Sequence, residues 1–291
     1  MQTTASHIAG TGLEFLVDAH VHIHDGFDIA RQLDTAASNF ASQAEKLAAT
    51  ADAEFVLCLT ECYGTNRFND FMLACDQNGV VPGLGGSEWQ IRRSGDPVSV
   101  YAEHPRSGRI LIVAGRQIVT AEKLEVLGVG TAGDWRDGRP IRETIDALLR
   151  SNAVPVLPWG FGKWLGRRGR IVRNLIDEYR RSSLYLGDNS GRLGIAPEPG
   201  EFCLAGQAGI AVLPGSDTLP FSSEVSKTAS FGFYARDVPD LGGAWESLRS
   251  VLVSGRVHVR PFGTLESPLR FVRNQVAMQY LTRVASRQRA N

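Results

Sequence analysis

The chain has 291 residues, longer than the ~150 residues of a common domain but close to the ~250 that an α/β barrel occupies as one unit, so a single domain over residues 1–291 is expected. Apolar residues at 43% and charged residues at 21% are ordinary globular usage. With 31 basic and 31 acidic side chains the formal charge is zero, which predicts neither a nucleic-acid surface nor a membrane surface.

From the N-terminus, the stretch up to His20 has no basic segment followed by a long apolar run, and no window approaches ~20 uninterrupted apolar residues, so secretion and membrane spanning are not expected. Strands are predicted over 14–22, 54–60, 80–88, 154–158, 184–187 and 210–213, where apolar or β-branched runs end in polar or Gly-rich stretches. After the third of these, residues 89–130 hold extended runs separated by turn signals at Ser94-Gly95-Asp96-Pro97 and Arg106-Ser107-Gly108, read as an inserted antiparallel hairpin. Pro140 suits a first helical turn, and Ile141, Ile145, Leu148 and Leu149 then follow along one face. The same spacing predicts helices over 170–182 through Ile171, Leu175 and Tyr179, and over 244–253 through Trp245, Leu248 and Leu252. A last helix starts at Ser267-Pro268 and turns Leu269, Val272 and Val276 inward. Strands alternating with helices define an α/β class with a largely parallel sheet. Cys58, Cys62, Cys75 and Cys203 lack zinc-ribbon spacing and read as reduced thiols of a cytoplasmic protein.

The chemistry concentrates in Asp18-Ala19-His20-Val21-His22. Strand side chains alternate faces, so Asp18, His20, His22 and His24 point one way while Val17, Ala19, Val21 and Ile23 point toward covering helices. Buried imidazoles need partners, and three of the six histidines in one short window favour a shared metal over separate core contacts. Acidic residues recur just past predicted strands, at Glu61, Glu88, Asp188 and Asp217, where barrel sites are assembled. Each also suits a helix cap or a turn. Lys163, in Gly160-Phe161-Gly162-Lys163-Trp164, is placed to hold an anionic group with Arg168 and its neighbours Arg167 and Arg170, or to form a solvated basic turn. Asn189 and Arg192, in Asp188-Asn189-Ser190-Gly191-Arg192, can contact the same group, and the same five residues can equally form a tight turn.

These residues resemble the PHP family of metal-dependent phosphoesterases, within the wider set of amidohydrolase-like barrels. Asp18-Ala19-His20-Val21-His22 is similar to the family's opening metal motif, the stretch from Pro82-Gly83 to Glu88 to its glutamate-bearing strand, and Gly215-Ser216-Asp217 to its late Gly-Ser-Asp element. The chain departs from the pattern at Thr60-Glu61, at Thr218 and at Pro158-Trp159. The resemblance implies a distorted (β/α) barrel of the PHP/TIM type carrying one or two divalent ions, zinc, manganese or iron, rather than a three-metal cluster. Taken together with the strand-end and basic-loop readings above, it points to His20, His22, Glu88, Asp188 and Asp217 as ligands, with Asp217, His24 and Lys163 in the chemistry and Lys163, Arg168, Asn189 and Arg192 on the substrate. The function expected is hydrolysis of a phosphate ester by a metal-activated water, on a small anionic molecule with nucleic acid excluded. Hydrolysis of an amide or lactone, or ligand binding by a barrel that has lost its chemistry, are the alternatives.

Overall fold

The apolar runs do form strands, but they divide between two sheets. The computed structural model describes residues 12–76, 84, 87–180 and 183–288. In chain order the elements are β1 (Leu13–Val21), α1 (Ile29–Leu47), β2 (Glu54–Leu59), β3 (Glu61–Cys62), α2 (Arg67–Asp76), β4 (Gln90–Arg93), β5 (Ser99–His104), β6 (Gly108–Val113), β7 (Gly115–Val119) and β8 (Glu125–Val129). Then come α3 (Ile141–Arg150), β9 (Val154–Pro158), α4 (Arg167–Glu178), β10 (Tyr185–Asn189), α5 (Gly200–Ala208) and β11 (Val212–Gly215). A 3-10 turn (Ser222–Lys227), β12 (Phe231–Val238), α6 (Ala244–Val253), β13 (Arg260–Gly263) and α7 (Pro268–Gln288) complete the chain.

One sheet has the order β13-β12-β1-β2-β6-β5-β4 and the other β11-β10-β9-β8-β7-β3. Both are mixed: β1-β2 and β2-β6 are parallel, whereas β1-β12, β7-β8 and β8-β9 are antiparallel. The architecture is α/β, but the regular parallel barrel expected from strand and helix alternation is not formed among the described residues. The chain steps from one sheet to the other across a single residue at two places, at Thr60 between β2 and β3 and at Ala114 between β6 and β7. Gly115 permits the second crossing, because a Cβ there would lie 2.1 Å from the Leu59 carbonyl oxygen. Residues 89–130 are therefore five strands built into both sheets, not one inserted hairpin. Local turn signals mark the bends correctly but carry no information on which sheet the next strand joins.

Apolar side chains fill three layers. Phe15, Val17, Ala19, Val156, Tyr185 and Trp245 lie in the core that both sheets share. Leu16 and Val21 turn to the other face of β1, packing with Leu33, Ala36 and Phe40 of α1. Ile141, Ile145, Leu148, Val172 and Leu175 cover the second sheet, which confirms the two helices read from those spacings. The expected grouping of Val17, Ala19 and Val21 on one face fails because β1 has an extra residue relative to β2 between Asp18 and Val21, which breaks the period of two.

Helix α7 starts at Pro268 as its cap predicts, but its inward face is a different one. Leu269, Val272 and Val276 are 85%, 58% and 63% exposed, and the helix docks instead through Arg270 and Asn274 on Glu224 and through Phe271 on Phe161. The apolar spacing is real, but a buried carboxylate selects the adjoining stripe. The predicted strand over 80–88 lies largely outside the described residues, as do the first residues of the chain and the end of the helix predicted to reach 182. No helix among the described residues is long and apolar enough to cross a membrane.

Trp245 is 2% exposed in the shared core, so Trp245→Ala is expected to lower stability by about 3–5 kcal/mol in urea unfolding. A loss below about 1 kcal/mol would contradict a single core holding the two sheets together.

Candidate metal centre

Two segments distant in sequence, 18–24 and 215–218, lie side by side and are laced by hydrogen bonds. Ser216 N donates to Asp18 Oδ1 at 2.7 Å, Asp217 N to the His20 carbonyl at 2.8 Å, Thr218 Oγ1 to the His22 carbonyl at 3.2 Å and His24 Nε2 to the Thr218 carbonyl at 2.8 Å. Gly215 lets the segments approach, since a Cβ there would sit 2.3 Å from His20 N. Asp217 takes a left-handed conformation, φ +47°, which turns its carboxylate back over the histidines; aspartate tolerates that region better than most residues.

The result is a compact set of donors. His20 Nε2 lies 3.1 Å from His22 Nε2, 3.3 Å from Asp217 Oδ1 and 3.2 Å from Gln117 Oε1, while His22 Nε2 lies 3.5 Å from Asp217 Oδ1. A ring nitrogen has one proton or one lone pair, so His20 Nε2 cannot satisfy three neighbours at once. Four-coordinate ligands bound at ~2.0–2.1 Å stand about 3.3 Å apart, which is the spacing of the His20, His22 and Asp217 triangle. These three residues fit a divalent cation, and they are the group with metal-ligand geometry found among the described residues.

The electrostatics agree. Burial lowers the His20 imidazole to about 4, against the opposing pull of Asp217 and with His22 acting in the same direction, so its lone pair is free at neutral pH. Burial pushes the Asp217 carboxyl up, but His20, a hydrogen bond from His22 and the Lys163 charge outweigh it and hold the group well below the usual carboxylate range. Asp18 ligates nothing. Its carboxylate is fully buried and accepts from the backbone N–H groups of His20, Ser216 and Ala229, and burial raises it to about 7 despite those donors.

The other expected site residues divide. Lys163 is ion-paired with Glu125 and lines, with Asp217, Asn189, Trp159 and Lys227, a cleft of about 210 Å³ beside the triangle. Asn189 also donates to the Trp159 carbonyl at 2.9 Å. His24 is outside the donor set, its Nε2 proton fixed on Thr218. Glu88 is not brought to the triangle: it is 53% exposed and pairs with Arg106 and with His104 at 3.4 Å, beside the β5–β6 hairpin. Asp188 and Arg192 pair with each other, each Asp188 oxygen accepting an Arg192 nitrogen at 2.8 Å, and neither belongs to the donor triangle. Arg168 bonds the Gly162 and Lys123 carbonyls and braces its own loop. Glu61 takes the capping role, accepting from the N–H groups of Arg67 and Phe68 at the start of α2. Gln117 and Glu125, not anticipated from the sequence, come from the strands read as a hairpin; a polar Gln within Gly115–Val119 was the available sign.

No family model and no curated protein matches the chain. The crystal structure of PsfC from Pseudomonas syringae is similar over 92% of this chain and 99% of its own length, at 16% identity and a TM-score of 0.54, which shows a shared fold. A lesion-specific endonuclease, PfuEndoQ from Pyrococcus furiosus, aligns with 86% of this chain and 57% of its own at 10% identity and a TM-score of 0.45. An Endonuclease Q complex with a 27-mer duplex substrate aligns with 83% and 56%, at 10% identity and a TM-score of 0.44. The expectation of a small anionic molecule as partner and of nucleic acid excluded is withdrawn. It rested on zero net charge, a whole-chain sum that is silent on the local charge around a cleft.

Gly215→Ala forces β11 away from β1 at His20. The variant is expected to lose at least about 2 kcal/mol of stability and to bind zinc or manganese at least tenfold more weakly in equilibrium dialysis. Wild-type metal affinity in this variant would show that the close approach does not set the donor triangle.

Proposed function

We propose that the chain is a metal-dependent hydrolase acting on a phosphate ester. The observation that carries this reading is the triangle of His20 Nε2, His22 Nε2 and Asp217 Oδ1, with edges of 3.1, 3.3 and 3.5 Å. A divalent ion held there, zinc, manganese or iron, supplies a water of lowered pKa and polarises the scissile group. The protein's own contribution is orientation. Thr218 and Asp217 N fix the backbone of the histidines, and His24 stacks on His22 with ring centroids 5.4 Å apart. Lys163 lines the same cleft as Asp217 and stays 40% exposed while paired with Glu125, so an ammonium proton not used by Glu125 can meet a phosphoryl oxygen. Asn189 offers a polar contact on the cleft wall. Support for the phosphate ester comes from the resemblance at 18–22 and 215–217 together with Lys163, and support for the metal comes from the donor spacing.

Metal content by elemental mass spectrometry tests the reading, run beside a folded His20→Ala, His22→Ala variant. Near-stoichiometric metal in the wild type, absent from the variant, is expected. Turnover of a panel of phosphomonoesters, phosphodiesters and a duplex oligonucleotide is expected to fall about a hundredfold or more with the metal, since such an ion supplies several kcal/mol to the transition state. No metal after reconstitution would sink the mechanism; metal with turnover only of amides or lactones would move the chemistry to that class.

A further inference from the structure

The His20 imidazole has an oxygen neighbour outside the histidine and aspartate set. Gln117 Oε1 is 3.2 Å from His20 Nε2, as near as His22 and Asp217 are. Gln117 stands on β7, in the same sheet as β11 but separated from it by β10, β9 and β8. The far end of its amide points to the Cys62 thiol, 3.9 Å from Nε2, which directs the carbonyl oxygen toward the histidines. Amide oxygens are ordinary donors to hard and borderline divalent ions.

The carboxylates that a second ion would need are elsewhere. Glu88 is beside the β5–β6 hairpin with Arg106, Asp188 is closed by Arg192, and Glu125 holds Lys163. Resting on the metal-dependent reading above, we propose that Gln117 Oε1 is the fourth protein donor of a mononuclear site whose other ligands are His20, His22 and Asp217. The inner sphere then contains two neutral imidazoles, one neutral amide and one carboxylate. A divalent ion in it would keep a net charge of +1, which would favour an anionic oxygen of substrate on expansion to a fifth position. A weak neutral donor in place of a carboxylate also makes the site less retentive of its ion than an all-charged set.

Wild type, Gln117→Leu, Gln117→Glu and His20→Ala proteins are compared by metal stoichiometry after dialysis, by chelator competition, and by the visible spectrum of the cobalt-loaded form, each variant checked by thermal unfolding. One equivalent is expected in the wild type. Gln117→Leu is expected to bind about tenfold or more weakly, a typical loss when a supporting group is removed from a metal site, with an altered cobalt spectrum. Gln117→Glu is expected to bind at least as tightly as wild type. Two equivalents in the wild type, or a Gln117→Leu protein with wild-type affinity and spectrum, overturns the proposal while leaving the hydrolase reading intact. A wild type that binds no more metal than His20→Ala overturns both.

Discussion

The carboxylate of Asp18 is the point on which the site depends. It is completely buried, and its two oxygens gather backbone N–H groups from His20 in β1, from Ser216 just past β11 and from Ala229 just before β12. A buried carboxylate is tolerated only with such donors, and buried N–H groups only with an acceptor, so each side of the arrangement requires the other. Because Ser216 is one of the three, Asp18 fixes where Asp217 begins; because His20 is another, it fixes the first ligand. The extra residue that β1 carries after Asp18 then turns His20 toward the second sheet, where Gln117 and Asp217 are met.

Charge around this point is mostly closed into fixed pairs. Asp188 faces Arg192, Glu61 faces Arg116 at 3.5 Å, and Lys227 bridges Glu224 and Glu266. Each pair holds a loop or a turn against the sheets, and a charge already matched by a rigid partner offers little to a ligand. Asp217 differs: its near partners are two imidazoles whose nitrogens converge on it and on each other, an arrangement that bonding among the protein groups alone leaves incomplete.

This contrast also explains what could be read from residues alone. His20, His22 and Asp217 were legible because a two-residue spacing and a Gly-Ser-Asp turn are local, and local geometry survives whatever the sheets do. The pairing of Asp188 with Arg192 and of Glu88 with Arg106 was not, because an acid after a strand looks the same whether it meets a metal or an arginine. Strand positions were legible where apolar runs are short, as at 154–158. The exchange of strands between sheets at Thr60 and Ala114 was not, since it depends on Gly115 meeting a backbone carbonyl from β2. Gln117 is hidden for the same reason: turn signals alone make its strand part of an inserted hairpin, and only the crossing brings it to the histidines.

The cleft wall opposite the histidines follows from a different kind of constraint. Glu224 is fully buried and is reached by Lys227, Arg270 and Asn274, so the 3-10 turn and α7 are joined by polar contacts where an apolar stripe was available. Apolar packing fixes that two elements meet but permits small rotations of a helix, whereas directed contacts to one carboxylate do not. The rotation chosen leaves Leu269, Val272 and Val276 outward and sets Phe271 against Phe161 at the cleft beside Asp217. The buried ion cluster therefore acts on the position of the cleft wall, and it places an aromatic edge at the cleft that Asp217 of the donor triangle also lines.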